Sequence, residues 1–425
     1  MTPPSRTKPI VHVIGAGLAG LSAAVRLAQA GRRVALHEAA GHAGGRCRSF
    51  VDAAIGTTID NGNHLLLSGN QAAHTYLRAI GAENSLAGPD IAEYPFLDLA
   101  SGERWSLRPG RSRIPWWIFR ADRRPPGTRA TDFLAGLRLG LASETATVAD
   151  CLDTRGPLFR KFWEPLTVAV LNAAPNEGAA ALLWPVLRET FARGEAACRP
   201  RIAAQGLSES FVTPALDTLR KHGAAVTFND RLRRIVFSDD RVSRLELDSG
   251  SVSVGAEATV ILAVPPAGAA SLLPNFPVPE DSRAIVNAHF RLDRRRDGVT
   301  ILGLVGGMAQ WLFWRGDVAS VTISAADALV DSNPALLAEQ LWREVATALG
   351  IEGTALPPHR IVKEKRATFA QVPSALAKRA PTRSPWANLL LAGDWTATGL
   401  PATIEGAIRS GHSAAEAMLA SAANS

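Results

Sequence analysis

The chain begins with apolar runs separated by a glycine-rich turn, a pattern that predicts a strand, a helix and a second strand. Residues 10–14 are apolar and mostly β-branched, and residues 33–38 return to a strand pattern. Between them, apolar positions recur at helical spacing: Leu18, Leu21, Val25 and Ala28. Gly31 stands where a helix C-terminus favours glycine. This order predicts the opening unit of an α/β fold.

The turn reads Gly15-Ala-Gly17-Leu-Ala-Gly20, which is the G-x-G-x-x-G pattern. Gly15 permits a tight turn, Gly17 lets the backbone approach a pyrophosphate, and Gly20 lets helix and strand pack closely. The helix N-terminus would offer N–H groups to the phosphates. Glu38, 18 residues after Gly20, could accept hydrogen bonds from a ribose diol. We therefore expect a dinucleotide site, the alternative being a glycine turn in another βαβ unit.

A second glycine turn, Gly44-Gly45-Arg46, follows Glu38 and precedes the segment Asp60-Asn61-Gly62-Asn63-His64. Adjacent glycines permit backbone conformations that other residues resist, so Arg46 would be held as a fixed cation toward a phosphate or a flavin. The alternative for Arg46 is an ordinary surface arginine. His64 is either a polar group near a cofactor or a structural histidine.

The C-terminal region predicts a buried strand over 388–395 that contains Gly393-Asp394, followed by a helix that begins near Ile404. Small and apolar residues recur along this helix every three to four positions, which suits close packing against a cofactor region. Further short strands are predicted in the middle of the chain, at 225–228, 231–237, 241–247 and 258–264.

A ribose-binding acid followed closely by a Gly-Gly-Arg turn resembles the flavin-containing amine oxidase and carotenoid desaturase superfamily. The resemblance implies FAD, with the Asp60–His64 segment beside the isoalloxazine ring and Asp394 on the ribityl chain or pyrophosphate. It also implies that backbone groups at Ile235 and near Ile404 meet the adenine and the flavin N1–O2 edge, respectively. The cofactor-binding residues expected on these grounds are Gly15, Gly17, Gly20, Glu38, Gly45, Arg46, Gly62, Asn63, His64, Ile235, Gly393, Asp394 and Ile404.

Several stretches resemble one branch of that superfamily, the squalene-associated hydroxysqualene dehydroxylases. They are residues 162–172, 303–313, 363–369 and 391–406, including Trp395 directly after Gly-Asp. The resemblance implies reductive removal of the hydroxyl of hydroxysqualene by hydride from reduced FAD, which gives squalene. Such chemistry needs a proton donor, walls that tolerate a cation and exclusion of water.

The catalytic residues are not identified by these motifs. Glu164 is one candidate for the proton donor, whereas Glu405, in the first turn of a predicted helix, is expected to be structural. Four aromatic residues could stabilise a cation or could simply pack in the core: Trp163, Trp311, Phe313 and Trp314. No metal-ligand motif is visible, so we expect the flavin to carry the chemistry.

Three other functions share this pattern. A carotenoid desaturase would use the same fold and cofactor to remove hydride from a polyene. An amine oxidase typically has a lysine near the flavin, and this chain has only six lysines. A prenyl-binding protein of the GDP-dissociation-inhibitor type has the fold without flavin chemistry, and Arg46 with Asp394 argues against it.

The fold expected is α/β (α+β), with a discontinuous Rossmann-type FAD-binding domain and an inserted substrate domain of mixed β-sheet plus helices. The FAD domain is predicted from residues 1–75, 205–270 and 385–425. The substrate and membrane-facing domain is predicted from 76–204 and 271–384. Residues 298–314 carry no charge, but Gly303, Gly306 and Gly307 interrupt the run. We interpret the segment as two buried strands around a turn.

The formal charge of +7 is concentrated in one segment. Residues 104–129 contain eight arginines and one acid, mixed with six large apolar residues: Trp105, Ile114, Trp116, Trp117, Ile118 and Phe119. This mixture suits a monotopic anchor on an anionic membrane, although a solvated loop or a single-stranded nucleic-acid site would share it. With an oily isoprenoid substrate expected, we favour the membrane over nucleic acid.

The three cysteines, odd in number and widely spaced, indicate a reducing compartment. We expect a cytoplasmic protein at the inner face of the cytoplasmic membrane, and the oligomeric state stays open.

Overall fold

The computed structural model describes residues 9–423, so the outer ends of the predicted segments 1–75 and 385–425 lie outside the described residues. The first nine strands are β1 (Ile10–Ile14), β2 (Arg33–His37), β3 (Ser49–Asp52), β4 (Thr57–Asp60), β5 (Leu66–Leu67), β6 (Leu86–Ala87), β7 (Tyr94–Asp98), β8 (Arg104–Leu107) and β9 (Pro200–Ala203). The others are β10 (Ala225–Thr227), β11 (Leu232–Ser238), β12 (Arg241–Leu247), β13 (Gly250–Ser253), β14 (Thr259–Leu262), β15 (Ser282–Val305), β16 (Trp311–Ile323), β17 (His359–Phe369) and β18 (Leu389–Leu391).

Four of the helices follow one another between β8 and β9, and the longest helices lie at the two ends of the chain and near residue 340. They are α1 (Leu18–Gln29), α2 (Gln71–Ala79), α3 (Ala130–Leu134), α4 (Val148–Cys151), α5 (Glu164–Leu171), α6 (Ala180–Glu189), α7 (Thr213–Lys221), α8 (Pro266–Leu272), α9 (Pro334–Leu349), α10 (Pro373–Leu376) and α11 (Ile404–Ala423). Across residues 9–423, no helix is both long and apolar enough to cross a membrane.

A five-stranded parallel sheet has the order β10-β2-β1-β14-β18. Val11 and Val13 of β1 are fully buried against α1, which explains the apolar run at this position. All five strands come from the three segments assigned above to the FAD domain. The Rossmann-type part of the predicted fold is therefore confirmed, while the division into domains stays a prediction.

Close packing of α1 on α11 explains the small residues of both helices. A Cβ atom added at Gly411 would lie 2.1 Å from the carbonyl oxygen of Ala19 and the same distance from Ser22 Oγ. The Ser22 hydroxyl donates to the Ile408 carbonyl at 3.3 Å. The predicted C-terminal helix therefore packs directly on the helix that follows the glycine turn.

The second large sheet has the order β16-β15-β7-β8, with β17 also pairing with β15. Strands β15 and β7 run parallel and the other pairs run antiparallel, so the sheet is mixed as predicted. Strands β15 and β16 form a long hairpin around residues 306–310, which agrees with the interpretation of 298–314. Helix α9 packs on this sheet through Leu341, Trp342 and Val345.

Candidate functional site

The first glycine turn has the tight geometry that its sequence predicts. Gly15 has φ +102°, and a Cβ atom there would lie 2.6 Å from the Ala263 carbonyl oxygen. A Cβ at Gly20 would lie 1.8 Å from the Gly15 carbonyl oxygen, so helix and strand approach too closely for alanine. Gly17 is the N-cap of α1, and the space around its missing Cβ is open to 4 Å among the described residues.

The N-terminus of α1 is open to an anion. Among residues 9–423, no side chain caps this helix and no acid lies in its first turn. The N–H groups and the positive end of the helix dipole therefore face the open space at Gly17, which suits a phosphate.

Glu38 lies beside this turn because it directly follows β2. Its carboxylate accepts hydrogen bonds from Ala16 N at 2.7 Å and from Ala40 N at 2.8 Å. Two backbone donors fix the carboxylate in place, and its remaining lone pairs can accept hydrogen bonds from a ligand diol.

The Gly44-Gly45 turn lies on the first glycine turn. Gly44 and Gly45 have φ +101° and +58°, and Gly44 N donates to the Ala16 carbonyl at 2.8 Å. A Cβ atom at Gly45 would be 3.4 Å from Gly17 Cα. The two motifs, 24 residues apart at their nearest glycines, therefore form one continuous surface.

Arg46 joins this surface to the C-terminal motif. Its Nη2 atom lies 2.7 Å from Asp394 Oδ2, and its Nη1 atom donates to the Ala367 carbonyl at 2.5 Å. Asp394 is buried, and its charge raises the pKa of Arg46 above the ordinary value. Arg46 is thus a partly exposed, ion-paired cation rather than a freely solvated one.

The remaining C-terminal residues hold the backbone around Asp394. Gly393 N donates to Ser410 Oγ of α11 at 2.6 Å, and α11 begins at Ile404. Glu405 accepts hydrogen bonds from Ala72 N and Ala73 N at the start of α2, which is the structural role expected for it.

Ile235 lies in the middle of β11, which pairs with β12 through Leu245. Its side chain is buried in the same apolar cluster as Ile14, the residue before the glycine turn. Within the described part of the chain, the other edge of β11 has no partner strand, so backbone groups there are open to a ligand.

The Asp60–His64 segment connects Arg46 to the second sheet. Asn61 Nδ2 lies 3.5 Å from the Arg46 carbonyl oxygen, and a Cβ at Gly62 would lie 3.1 Å from Asn287 Nδ2. Asn63 Nδ2 donates to Thr322 Oγ1 at 3.0 Å. Burial lowers the pKa of His64 to about 4, so its ring is neutral at pH 7.

A small cavity of about 30 Å³, partly open to solvent, lies where this segment meets the second sheet. We call it the polar cavity, and its polar lining is Thr58, Asp60, Asn63, His64, His289, Arg315 and Ser320. Asp60 Oδ2 and Arg315 Nη2 form an ion pair at 2.9 Å within it. Asp60, Asn63 and His64 belong to the segment expected beside the cofactor, whereas His289, Arg315 and Ser320 belong to no motif and were not predicted.

The four aromatic candidates do not form one wall. Trp163 packs on Phe162 at 4.7 Å between ring centroids, and Trp311 packs against Phe96 at 5.5 Å. Trp314 is buried, with Arg294 and Arg296 over its ring, and Phe313 alone lines the polar cavity.

Glu164, the candidate proton donor, does not lie in the polar cavity. Its side chain is exposed at the start of α5, and it is absent from the residues that line the cavity within 9–423. The position of Glu164 therefore gives no support to that role.

Arg379 is a residue that sequence reasoning missed. It is buried, and its guanidinium donates to the carbonyls of Asp394, Trp395 and Thr396. Desolvation by burial lowers its pKa to about 10, and the positive charge lies close behind Asp394. No spacing or motif distinguishes it from the other 39 arginines of the chain.

The site residues fit FAD. The open N-terminus of α1 suits a pyrophosphate, Glu38 suits a ribose, and Arg46, Asp394 and the start of α11 surround a place for the flavin end. The cofactor cradle, as we name it, consists of the turns 15–20 and 44–46 together with Glu38 and Asp394.

Comparisons with known proteins agree with this geometry. The flavin containing amine oxidoreductase family matches residues 18–419. A hydroxysqualene dehydroxylase of Rhodopseudomonas palustris is 48% identical over 411 residues, 96% of this chain and 98% of that protein. A second, of Sinorhizobium fredii, is 47% identical over 96% of this chain and 98% of that protein.

More distant similarities have the same fold. A zeta-carotene desaturase of Synechocystis is 22% identical over 97% of this chain and 98% of that protein. The crystal structure of cyclohexylamine oxidase from Brevibacterium oxydans superposes with a TM-score of 0.71 at 17% identity, covering 98% of this chain and 100% of that one. The predicted superfamily, branch and flavin cofactor are confirmed by these matches.

Proposed function

Because the chain belongs to the flavin-containing amine oxidoreductases and, within them, to the hydroxysqualene dehydroxylases, we propose that it converts hydroxysqualene to squalene with reduced FAD. The observation that carries the proposal is the 48% identity to a hydroxysqualene dehydroxylase over nearly the whole chain. The same identity makes the protein an oxidoreductase that uses FAD.

The chain's own residues have separate tasks in this reaction. When bound and reduced, FAD supplies a hydride with its two electrons. The cofactor cradle binds and orients FAD through the helix N-terminus, Glu38 and the Arg46–Asp394 pair. The second sheet and the 60–64 segment line the polar cavity next to it, and a substrate that filled this space would displace water from the reacting carbon.

A carotenoid desaturase remains the rival with the same fold, cofactor and kind of substrate. The identity to a zeta-carotene desaturase is 22%, against 48% and 47% to the dehydroxylases. Two anaerobic assays separate the two functions: hydroxysqualene is given reduced flavin, and phytoene is given oxidised flavin, because only oxidised flavin can accept a hydride. We expect hydroxysqualene to give squalene and phytoene to remain unchanged, and the reverse result would overturn the proposal.

We also propose that the surface formed by residues 111–141 docks the protein on an anionic membrane. Six of the nine exposed large apolar residues in the described chain belong to it, and each is between 54 and 88% exposed: Ile114, Trp116, Phe119, Leu134, Leu137 and Leu141. Arg111, Arg113, Arg120 and Arg129 are exposed around them. We call this surface the apolar–basic patch, and such a combination suits insertion at a lipid headgroup boundary.

The patch differs from the segment 104–129 in two ways. Trp105, Trp117 and Ile118 are buried and belong to the core, so only half of the apolar residues named in that segment face solvent. The leucines of 134–141 continue the surface instead, through contacts of α3 with residues 116–119. A lipid substrate is stored in the membrane, so a membrane-docked protein could take it up without passage through water.

A further inference from the structure

The polar cavity contains a histidine whose hydrogen-bonding capacity is half used. His289 of β15 is 1% exposed, and its Nδ1 atom lies 2.7 Å from Ser320 Oγ on the neighbouring strand β16. Its Nε2 atom is buried and makes no hydrogen bond of good geometry among the described residues, and the Asp60 backbone lies close to the ring. An unpaired buried polar atom costs free energy, so a group that binds in the cavity and satisfies Nε2 would gain it back.

The rest of the cavity fixes this ring and its charge environment. Asp60 faces it from β4, held by Arg315 at 2.9 Å and by hydrogen bonds from Ser49 Oγ and Leu207 N. Asp52 of β3 adds a second carboxylate nearby, which is itself paired with Arg360 of β17 at 3.3 Å. His64 lines the same cavity from the loop and is neutral at pH 7.

The cavity adjoins the cofactor cradle through one segment. His64 lines the cavity and also interacts with the backbone of Arg46, while Asn61 lies against the Arg46 carbonyl. The polar cavity therefore lies next to the part of the cradle that contains Arg46. A hydrocarbon chain cannot form hydrogen bonds with the polar lining, whereas a hydroxyl group can.

We infer that the polar cavity binds the hydroxyl of the substrate and that His289 Nε2 donates the proton with which this hydroxyl leaves as water. The inference rests on the proposed dehydroxylation. In the step, the Nε2–H bond breaks and an O–H bond forms, and the C–O bonding pair leaves with the water. The carbon then receives one hydride, whose two electrons form the new C–H bond and come from the reduced flavin, and solvent returns a proton to the imidazole.

At pH 7 almost all His289 rings are neutral, and the small protonated fraction gives up its proton more readily than an ordinary imidazolium does. Burial lowers the pKa of His289 to about 4, and the positive charge of Arg315 lowers it further. The negative charge of Asp60 acts in the opposite direction and raises it. The protonated fraction therefore increases as the pH falls toward 4. The proton-transfer step should accelerate over the same range.

Two substitutions separate hydroxyl binding from proton transfer. His289→Leu removes both functions, while His289→Gln keeps an amide that can donate a hydrogen bond but not a transferable proton. His359→Gln is the matched control, because His359 lies on β17 of the same sheet and bonds the Pro357 carbonyl outside the cavity. Retained flavin and an unchanged unfolding midpoint would establish that each variant folds.

The first readout is binding to the oxidised holoenzyme, followed by tryptophan fluorescence, which needs no turnover. We expect wild type and the His359→Gln variant to bind hydroxysqualene roughly tenfold more tightly than squalene, as one buried hydrogen bond implies. His289→Leu should lose this preference and His289→Gln should keep most of it. Equal preference in wild type and the Leu variant would overturn the assignment of the cavity.

The second readout is single-turnover squalene formation at several pH values. We expect wild type to accelerate as the pH falls, and His289→Gln to be roughly 10²–10³-fold slower with a flat profile. A wild-type rate in the Gln variant would overturn proton donation by His289 and leave the proposed function standing. If wild-type protein makes no squalene, the proposed function is overturned, and the binding preference still tests whether the cavity binds the hydroxyl.

If the Leu variant does not fold, the Gln variant and Ser320→Ala replace it. Loss of the Ser320 contact should slow turnover and leave flavin retention unchanged.

Discussion

The cofactor cradle and the polar cavity are built in opposite ways. The cradle is made mainly of backbone: glycine turns at 15–20 and 44–45, an uncapped helix N-terminus, and three charged side chains, Glu38, Arg46 and Asp394, held by hydrogen bonds. The cavity is made of side chains from β4, β9, β15 and β16 and the 60–64 segment. Binding a large common cofactor needs the backbone to come close, whereas acting on one substituent needs a few placed side chains.

The difference predicts how each region tolerates substitution. Changes in the cradle should disturb the backbone and hence folding or flavin retention. Changes in the cavity should leave the fold intact and alter the chemistry.

Gly20→Ala should be the most damaging substitution. The added Cβ would lie 1.8 Å from the Gly15 carbonyl oxygen, which requires the helix or the turn to move. We expect the free energy of unfolding to fall by about 3 kcal/mol or more, measured by urea denaturation. Gly17→Ala is the matched control, since its Cβ meets open space; it should cost at most about 1 kcal/mol. Equal losses in both variants would contradict the close-packing explanation.

Arg46→Ala should reduce flavin affinity roughly 10–100-fold, because a charge-assisted contact is lost and buried Asp394 is left without its cation. The dissociation constant for FAD, measured by fluorescence titration of the apoprotein, checks this. Arg360→Ala removes an arginine that pairs with Asp52 outside the cradle and should leave FAD affinity unchanged. If the two variants bind FAD equally well, Arg46 is not part of the cofactor site.

Stability should decrease as the pH falls from about 6.5 to about 4. Burial lowers the pKa of His12, His64 and His289 to about 4, whereas an unfolded chain protonates its histidines near 6.5. In that window the unfolded state binds more protons, so the free energy of unfolding rises with pH. Thermal unfolding at several pH values measures this slope. His289→Gln should reduce the acid loss by at most about 3 kcal/mol, and an unchanged slope would show that this ring is not buried in its neutral form.

Substitutions in the apolar–basic patch should have the smallest effect on the fold. Trp116→Ser and Leu141→Ser change exposed side chains, so we expect stability to stay within about 0.5 kcal/mol of wild type. Binding to anionic liposomes, measured by co-sedimentation, should fall for both. Val51→Ser is the control, since Val51 is 78% exposed and lies outside the patch. A wild-type level of liposome binding in the Trp116 and Leu141 variants would contradict membrane docking by this surface.

The same contrast explains how much could be predicted from the sequence. The cradle follows local rules, since Gly15, Gly17, Gly20 and Glu38 lie within one βαβ unit whose turn geometry dictates its residues. The fold class and the flavin followed from this unit and its C-terminal counterpart. His289 and Ser320 come together only because β15 and β16 pair in a particular register, which no local pattern specifies.

Burial was equally hard to predict for the aromatic and basic residues. Trp116 and Trp117 are neighbours in sequence, but one is exposed and the other is buried. The rest of the patch comes from the leucines of 134–141. Leu134, Leu137 and Leu141 are exposed, and Leu139 is buried. A short helical segment of this kind has too few turns to reveal its exposed face from spacing.

The proposed conversion of hydroxysqualene to squalene by reduced flavin can be tested in a single-turnover experiment. The holoenzyme is reduced chemically, freed of oxygen and mixed with hydroxysqualene, while flavin absorbance and squalene are followed together. We expect flavin to be reoxidised and squalene to be formed in equal amounts and at the same rate, and flavin-free protein to form none. Flavin that stays reduced while no squalene forms, or squalene formed equally by flavin-free protein, would contradict the proposed conversion.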